Sequence, residues 1–389
     1  MINYENIISD KAKTIEPSGI RKFFDLAAEM KDAISLGVGE PDFVTPWHIR
    51  NEGVYTLEKG KTHYTANAGL IELRKEISDY INRKNGVFYD PKSEILVTVG
   101  GSEAIDLAIR AIVNPGDEVL IPEPSFVCYK PCTILAGGTP VPIETKVEDK
   151  FKLTAEQLKK AITPKTKVLV LPYPNNPTGA IMTKEDLEEI AEVIRDTNII
   201  ILTDEIYSEL TYGREHTSIV SLPEMKERTV YINGFSKSYA MTGWRLGYAA
   251  APAPIMKQMI KIHQFAIMSS PTTSQYAAIE ALKKGDEDIA RMREEYDYRR
   301  RTIVDGFNSM GLTCFEPEGA FYVFPEIKST GMTSSDFCET LLKTEKVAVI
   351  PGTAFGKSGE WFVRCSYAYS IQNINEALVR IERFVKSLK

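Results

Sequence analysis

Thr229-Val230-Tyr231-Ile232-Asn233-Gly234-Phe235-Ser236-Lys237-Ser238-Tyr239-Ala240-Met241-Thr242-Gly243-Trp244-Arg245-Leu246-Gly247 is the stretch that decides how the chain reads. Its first part, Thr229–Asn233, reads as a strand buried on both faces. Its second part puts a lysine between two serines directly after that strand, with an arginine eight residues further on. A lone lysine is nearly always a solvated surface group. One at the bottom of a sheet cleft loses solvation and can act as an amine nucleophile.

Working outward, the same alternation recurs. Glu94–Val99, Glu118–Pro122, Lys167–Pro172, Asn198–Thr203 and Leu246–Ala250 are short apolar runs of the same kind. Between them, Ser102–Val113 and Lys184–Asp196 carry apolar residues at helical spacing, and Thr183 with Asp186 resembles a capping box. Strands alternating with helices imply an α/β domain with a largely parallel sheet covered on both faces. We expect this large domain over residues 46–290. The later part differs: Glu294–Met310 and Ile374–Leu388 read as helices, and Gly319–Pro325, Val347–Ile350 and Trp361–Ser366 as strands. Residues 1–45 and 291–389 are expected to form a smaller α+β domain. Two domains suit a chain of 389 residues, since single cores stop growing at about 250–300.

The net charge of −6 offers no basic field for nucleic acid or an anionic membrane surface. No run of about 20 apolar residues suggests a membrane span. Five scattered cysteines, an odd number without C-x-x-C spacing, argue against a disulfide scaffold. With no signal peptide at the N-terminus, the expectation is the cytoplasm. The four histidines show no metal-ligand spacing, so no metal is expected. Pro131 argues against Cys128 and Cys132 sharing a helix face, and both read as structural.

In open α/β sheets ligands sit beyond the C-terminal strand ends, so the residues there carry the chemical reading. Gly100-Gly101-Ser102-Glu103 leads from a strand into a helix, a turn that is commonly structural but also presents N–H groups to a phosphate. Asn175-Asn176-Pro177-Thr178-Gly179 has turn composition; functionally, it would aim the Asn176 amide at a ligand. Asp204 directly after a buried strand is costly unless paired. Its partner is either a surface cation or a buried one, such as a protonated ring nitrogen. Arg364, inside the apolar Trp361–Tyr367, wants a bidentate carboxylate: a structural Asp or Glu, or that of a substrate.

Taken together and in order, N-N-P-T-G at 175–179, D-E-I-Y at 204–207, S-K-S-Y-A-M-T-G-W-R-L-G at 236–247, R-C-S-Y-A at 364–368 and L-G-V-G-E-P-D-F at 36–43 resemble the class I/II aminotransferases. The resemblance runs from about residue 15 to the end. These are pyridoxal 5'-phosphate (PLP) enzymes of fold type I, which implies a mostly parallel sheet of the seven-stranded type plus the smaller domain. It implies that Lys237 carries the cofactor as a Schiff base and moves the substrate proton, and that Asp204 pairs with the ring nitrogen. Asn176 and Tyr207 would bond the phenolic oxygen, and Phe126 would stack on the ring. Ser236, Arg245 and the backbone around Gly101, Ser102 and Glu103 would bind the phosphate. Arg364 would clamp the substrate α-carboxylate, with Gly39 beside it. Tyr64 would reach the phosphate in a neighbouring subunit, which implies a homodimer.

The implied reaction moves an amino group from an L-amino acid to a 2-oxo acid, commonly 2-oxoglutarate, with ping-pong kinetics. The chain resembles bacterial aspartate and aromatic aminotransferases, and relatives acting on acylated diaminopimelate. Ser18–Phe24 is expected near the substrate entrance. Two other readings use the same residues or fold: a PLP-dependent C–S β-lyase, and a non-enzymatic PLP-sensing module. The latter carries an added DNA-binding domain, whereas here the resemblance runs along nearly all of the sequence and the net charge is negative, so an enzyme is the expectation.

Overall fold

The computed structural model describes residues 2–20, 23, 30 and 32–388. Among them, twelve strands form three sheets. They are β1 (Ile34–Ser35), β2 (Ile95–Thr98), β3 (Glu118–Glu123), β4 (Thr139–Glu144), β5 (Thr166–Leu171), β6 (Ile200–Asp204), β7 (Thr229–Gly234), β8 (Gly247–Ala250), β9 (Tyr322–Val323), β10 (Val347–Ala348), β11 (Ile350–Pro351) and β12 (Val363–Ser366). The large sheet has the order β2-β8-β7-β6-β5-β3-β4. Only β8 runs against its neighbours. The expected mostly parallel seven-stranded sheet is therefore present.

Burial explains why these runs are strands. Ile95, Val97, Leu120, Leu169 and Ile201 pack on one face, and Leu96, Val119, Val168, Leu202 and Val230 on the other. Successive side chains alternate across a pleated strand, so a continuous apolar run is what two covered faces require.

Helices that matter for the site are α1 (Trp47–Glu58), α2 (Gly100–Ile112), α3 (Tyr129–Ala136), α4 (Lys184–Ile194), α5 (Ala253–Ala266), α6 (Asp286–Ser309) and α7 (Ile371–Ser387). At the head of α4, Thr183 Oγ1 accepts the Asp186 N–H at 3.3 Å and Asp186 Oδ2 accepts the Thr183 N–H at 2.7 Å. Both halves of the anticipated capping box are formed.

Two features depart from the expectation. β4 reads Thr-Pro-Val-Pro-Ile-Glu and was not anticipated as a strand. It pairs only with β3 at the sheet edge, where proline's missing N–H breaks no ladder. Pro131 does not interrupt a helix; it lies in the first turn of α3, where its N–H would be unpaired anyway. The Cys132 N–H donates to the Cys128 carbonyl across that turn at 3.0 Å.

Outside the large sheet, β1 pairs with β10 in parallel, and β11-β12-β9 form an antiparallel sheet. β12, which carries Arg364, is the central strand of that sheet. α6 is continuous across position 290 and packs against α7.

Candidate active site

β2, β3, β5, β6 and β7 all run in the same direction, so their C-terminal ends share one edge of the sheet. A cavity of about 480 Å³ opens there. Gly101, Ser102, Phe126, Asn176, Asp204, Tyr207, Ser236, Lys237 and Arg245 line it from the large sheet, and Gly39 and Arg364 from the other side. The fold thus brings together residues as far apart in sequence as Gly39 and Arg364.

Asp204 ends β6 and is 7% exposed. Its Oδ2 accepts a hydrogen bond from the Tyr129 hydroxyl at 2.7 Å, and its Oδ1 accepts the Ile206 N–H at 3.3 Å. Burial pushes its carboxyl up to about 6, partly opposed by the Tyr129 hydrogen bond. Among the described residues it forms no ion pair within bonding distance. A buried carboxylate of this kind suits a cationic ligand atom.

Lys237 Nζ donates to the Gly39 carbonyl at 2.6 Å and lies 5.7 Å from the Phe321 ring. Burial pulls its ammonium down to about 8; the Glu40 carboxylate opposes this, and Arg364 and Arg245 add to it. An amine held near neutrality is a nucleophile and a base.

Arg364 is 2% exposed. Its Nη1 donates to Asn176 Oδ1 at 2.9 Å, and its Nη2 to the Gly37 carbonyl. The guanidinium stacks 4.6 Å from the Tyr322 ring centroid and 4.8 Å from that of Phe355. Its Nε has no hydrogen-bond partner. No carboxylate among the described residues pairs with it. A buried guanidinium on a cavity wall, held by neutral groups alone, is arranged to take a carboxylate from outside.

An anion cup lies at the N-terminus of α2. Gly100 has φ +76°, and a Cβ there would stand 2.7 Å from Arg245 Nη2. A Cβ on Gly247 would meet the Gly100 carbonyl carbon at 2.6 Å and the Gly101 nitrogen at 2.7 Å. Arg245, Ser236 and Ser102 line the same cavity. Arg245 Nη1 donates to the Thr242 carbonyl at 2.8 Å, and the arginine has no carboxylate partner among the described residues. Helix N–H groups and an unpaired arginine suit a phosphate.

Two named residues do not reach the cavity. The Glu103 side chain turns away: Oε1 meets His263 Nδ1 at 2.8 Å and Oε2 accepts the Val99 N–H. Tyr64 is 81% exposed. Of the entrance segment, Ile20 lines the cavity and Phe23 is buried; Arg21, Lys22 and Phe24 lie outside the described residues. The sequence reading missed Tyr129 and Tyr322. The Tyr207 and Tyr322 hydroxyls are 2.8 Å apart, and a Cβ on Gly39 would fall 2.2 Å from the Tyr322 hydroxyl. No local pattern marks either tyrosine, because only tertiary contact gives them a task. Among the described residues no cluster of His, Cys, Asp and Glu could hold a metal, and no helix is long and apolar enough to cross a membrane.

The aminotransferase class I and II family matches residues 31–381. A Bacillus subtilis (strain 168) protein described as an aminotransferase is 56% identical over 378 residues, covering 97% of this chain and 98% of that protein. An aspartate aminotransferase of Pyrococcus abyssi is 47% identical over 385 residues, covering 98% and 99%. The crystal structure of an aromatic aminotransferase from Pyrococcus horikoshii superposes with a TM-score of 0.90 at 47% identity, covering 94% of this chain and 99% of that one. With a family match over most of its length and relatives this similar along nearly the whole chain, the protein belongs to the class I and II aminotransferases.

Proposed function

We propose that this aminotransferase uses PLP held through Lys237 to move the amino group of an L-amino acid to a 2-oxo acid, 2-oxoglutarate as acceptor, in the cytoplasm. The observation that carries the reading is Arg364: buried, without a carboxylate partner among the described residues, and on the wall of the cavity that holds the Lys237 amine and Asp204. The residues present fit the cofactor. Asp204 would hold a proton on its ring nitrogen, and Asn176 and Tyr207 would bond its phenolic oxygen. Phe126 would cover its ring. Arg245, Ser236, Ser102 and the Gly101 backbone would bind its phosphate.

When bound, PLP supplies an electron sink for negative charge at the substrate Cα. The chain's own residues do the rest. Arg364 orients the substrate by its α-carboxylate, exchanging neutral partners for a charged one, with the Gly39 backbone beside it. Lys237, with its ammonium pulled down to about 8, takes the Cα proton and returns it. Tyr322, stacked on Arg364 and hydrogen-bonded to Tyr207, ties the carboxylate site to the proton-transfer site. One cavity serves donor and acceptor in turn, which gives ping-pong kinetics. Relatives described as aspartate, aromatic and N-acetyl-LL-diaminopimelate aminotransferases support an aspartate-like, aromatic or acyl-diaminopimelate-like side chain.

The assembly belongs to the same proposal. We assign a homodimer in which Tyr64 completes the partner's phosphate site. The loop carrying Tyr64 is tied to the 268–272 segment, with Thr272 Oγ1 donating to the His63 carbonyl at 2.7 Å and Asn67 Nδ2 to the Met268 carbonyl at 2.8 Å. Trp47, Tyr64 and Phe265 are large apolar side chains left exposed in the single chain, and a partner subunit would cover them. Residues 46–290 and the combination of 1–45 with 291–389 are proposed as the two domains, with α6 spanning their boundary.

The test is a visible absorbance spectrum of the purified protein with PLP, followed by amino acids added singly. A lysine-bound band that is lost with a particular amino acid, with release of its 2-oxo acid, supports the reading and names a donor. A protein that stays colourless with PLP overturns it.

A further inference from the structure

His263 is a fully buried histidine outside the cavity. It stands on α5, which packs against α2. Its Nδ1 lies 2.8 Å from Glu103 Oε1, while Glu103 Oε2 accepts the Val99 N–H. His263 Nε2 has no hydrogen-bond partner. With Nδ1 donating to the Glu103 carboxylate, Nε2 is the ring's unpartnered acceptor.

Glu103 is the acidic residue in the first turn of α2, the helix whose N-terminus forms the anion cup. Considered as a charge alone, it competes with a phosphate dianion for the same helix end. Its geometry says otherwise. Val99 is the N-cap of α2 and has no side-chain cap of its own; the Glu103 carboxylate holds its N–H. Val99 directly precedes Gly100, whose φ of +76° turns the chain toward the N–H groups of Gly101 and Ser102.

We propose that Glu103 and His263 are a positioning pair for the phosphate cup. Glu103 ties the Val99–Ser102 turn into shape, and His263 locks Glu103 and shares its charge, without either side chain touching the phosphate. The inference rests on the PLP reading above. It assigns His263 a task and gives the Glu103 side chain one as well, beside the expected contact of the backbone around Gly101, Ser102 and Glu103.

The test titrates PLP and pyridoxal, which lacks the phosphate, into full-length wild type, Glu103→Ala, His263→Leu and His263→Asn, following the lysine-bound absorbance. In Glu103→Ala, PLP affinity falls about tenfold, the order expected for loss of one or two hydrogen bonds, while pyridoxal affinity stays at the wild-type value. His263→Leu moves the same way and carries the test if Glu103→Ala does not fold. His263→Asn, whose amide nitrogen can stand near the place of Nδ1, restores most of the PLP affinity. Tighter PLP binding in Glu103→Ala overturns the proposal, because the carboxylate would then act only through its charge. Equal weakening of PLP and pyridoxal also overturns it, as a merely structural loss. A wild type without a lysine-bound band with PLP removes the cofactor reading, and this inference with it.

Discussion

Asp204 and Lys237 show how burial prepares two groups in opposite senses. The Asp204 carboxyl is pushed up to about 6 and the Lys237 ammonium pulled down to about 8, in both cases chiefly by desolvation of the charged form. The stability consequences follow from which state holds the proton. Between the ordinary 3.8 and about 6, folded Asp204 keeps a proton that the unfolded chain has lost, so its contribution falls as pH rises through that window. Between about 8 and 10.5, the unfolded chain holds the lysine proton and the folded chain does not, so stability rises with pH there. Thermal unfolding of the PLP-free chain should show this rise, and Lys237→Met should lack it. Tyr129 donates the hydrogen bond that keeps Asp204 from rising further. Tyr129→Phe is therefore expected to move the acid-side loss of PLP affinity from near pH 6 to higher pH, read by titrating PLP at a series of pH values. Arg364→Ala removes the carboxylate clamp. The amino-acid KM should rise about 100-fold, the scale of losing a buried charge partner, with PLP affinity nearly unchanged. Equal loss of both would make the assigned role wrong. Lys237→Ala should lose the visible band and turnover by at least the roughly 10²–10⁴-fold that positioned proton transfer contributes.

At the scale of elements, the site depends on close backbone approach. β8 meets the head of α2 at Gly247, where a Cβ would collide with backbone that cannot step aside. Gly247→Ala is expected to cost about 1–3 kcal/mol, as overpacking does, and to weaken PLP by displacing the cup. A urea titration and a PLP titration would measure the two effects, and wild-type values in both would show that the cup yields freely. The elements also show what was legible in advance. β2, β3, β5, β6, β7 and β8 were readable because strands covered on both faces need continuous apolar runs. β4 was not, because an edge strand has less apolar burial to display and tolerates Pro140 and Pro142. The α3 start was misread because proline's effect depends on position within a turn.

At the scale of the molecule, the proposed dimer makes a mixing experiment decisive. Purified chain should run at twice the 43.6 kDa chain mass. Lys237→Ala and Tyr64→Ala would each give weakly active or inactive homodimers. A hybrid of the two contains one site with Lys237 from one chain and Tyr64 from the other. Activity recovered on mixing is the expected outcome; none in a verified hybrid would place Tyr64 outside the partner's site.

By itself, the sequence determined the alternating sheet, the motifs at its strand ends and the family they resemble, because each is written in contiguous residues. Lys237 after β7, Asp204 at the end of β6 and the Gly100-Gly101 turn could be picked out for that reason. Only the tertiary structure decided that Arg364 lacks an acidic partner among the described residues, that Tyr129 serves Asp204, that Tyr322 joins Tyr207 to Arg364, and that Glu103 faces His263 rather than the cavity. The physical reason is the same in each case. Whether a buried polar group is satisfied depends on groups from distant parts of the chain, and no local spacing encodes which of them it will meet.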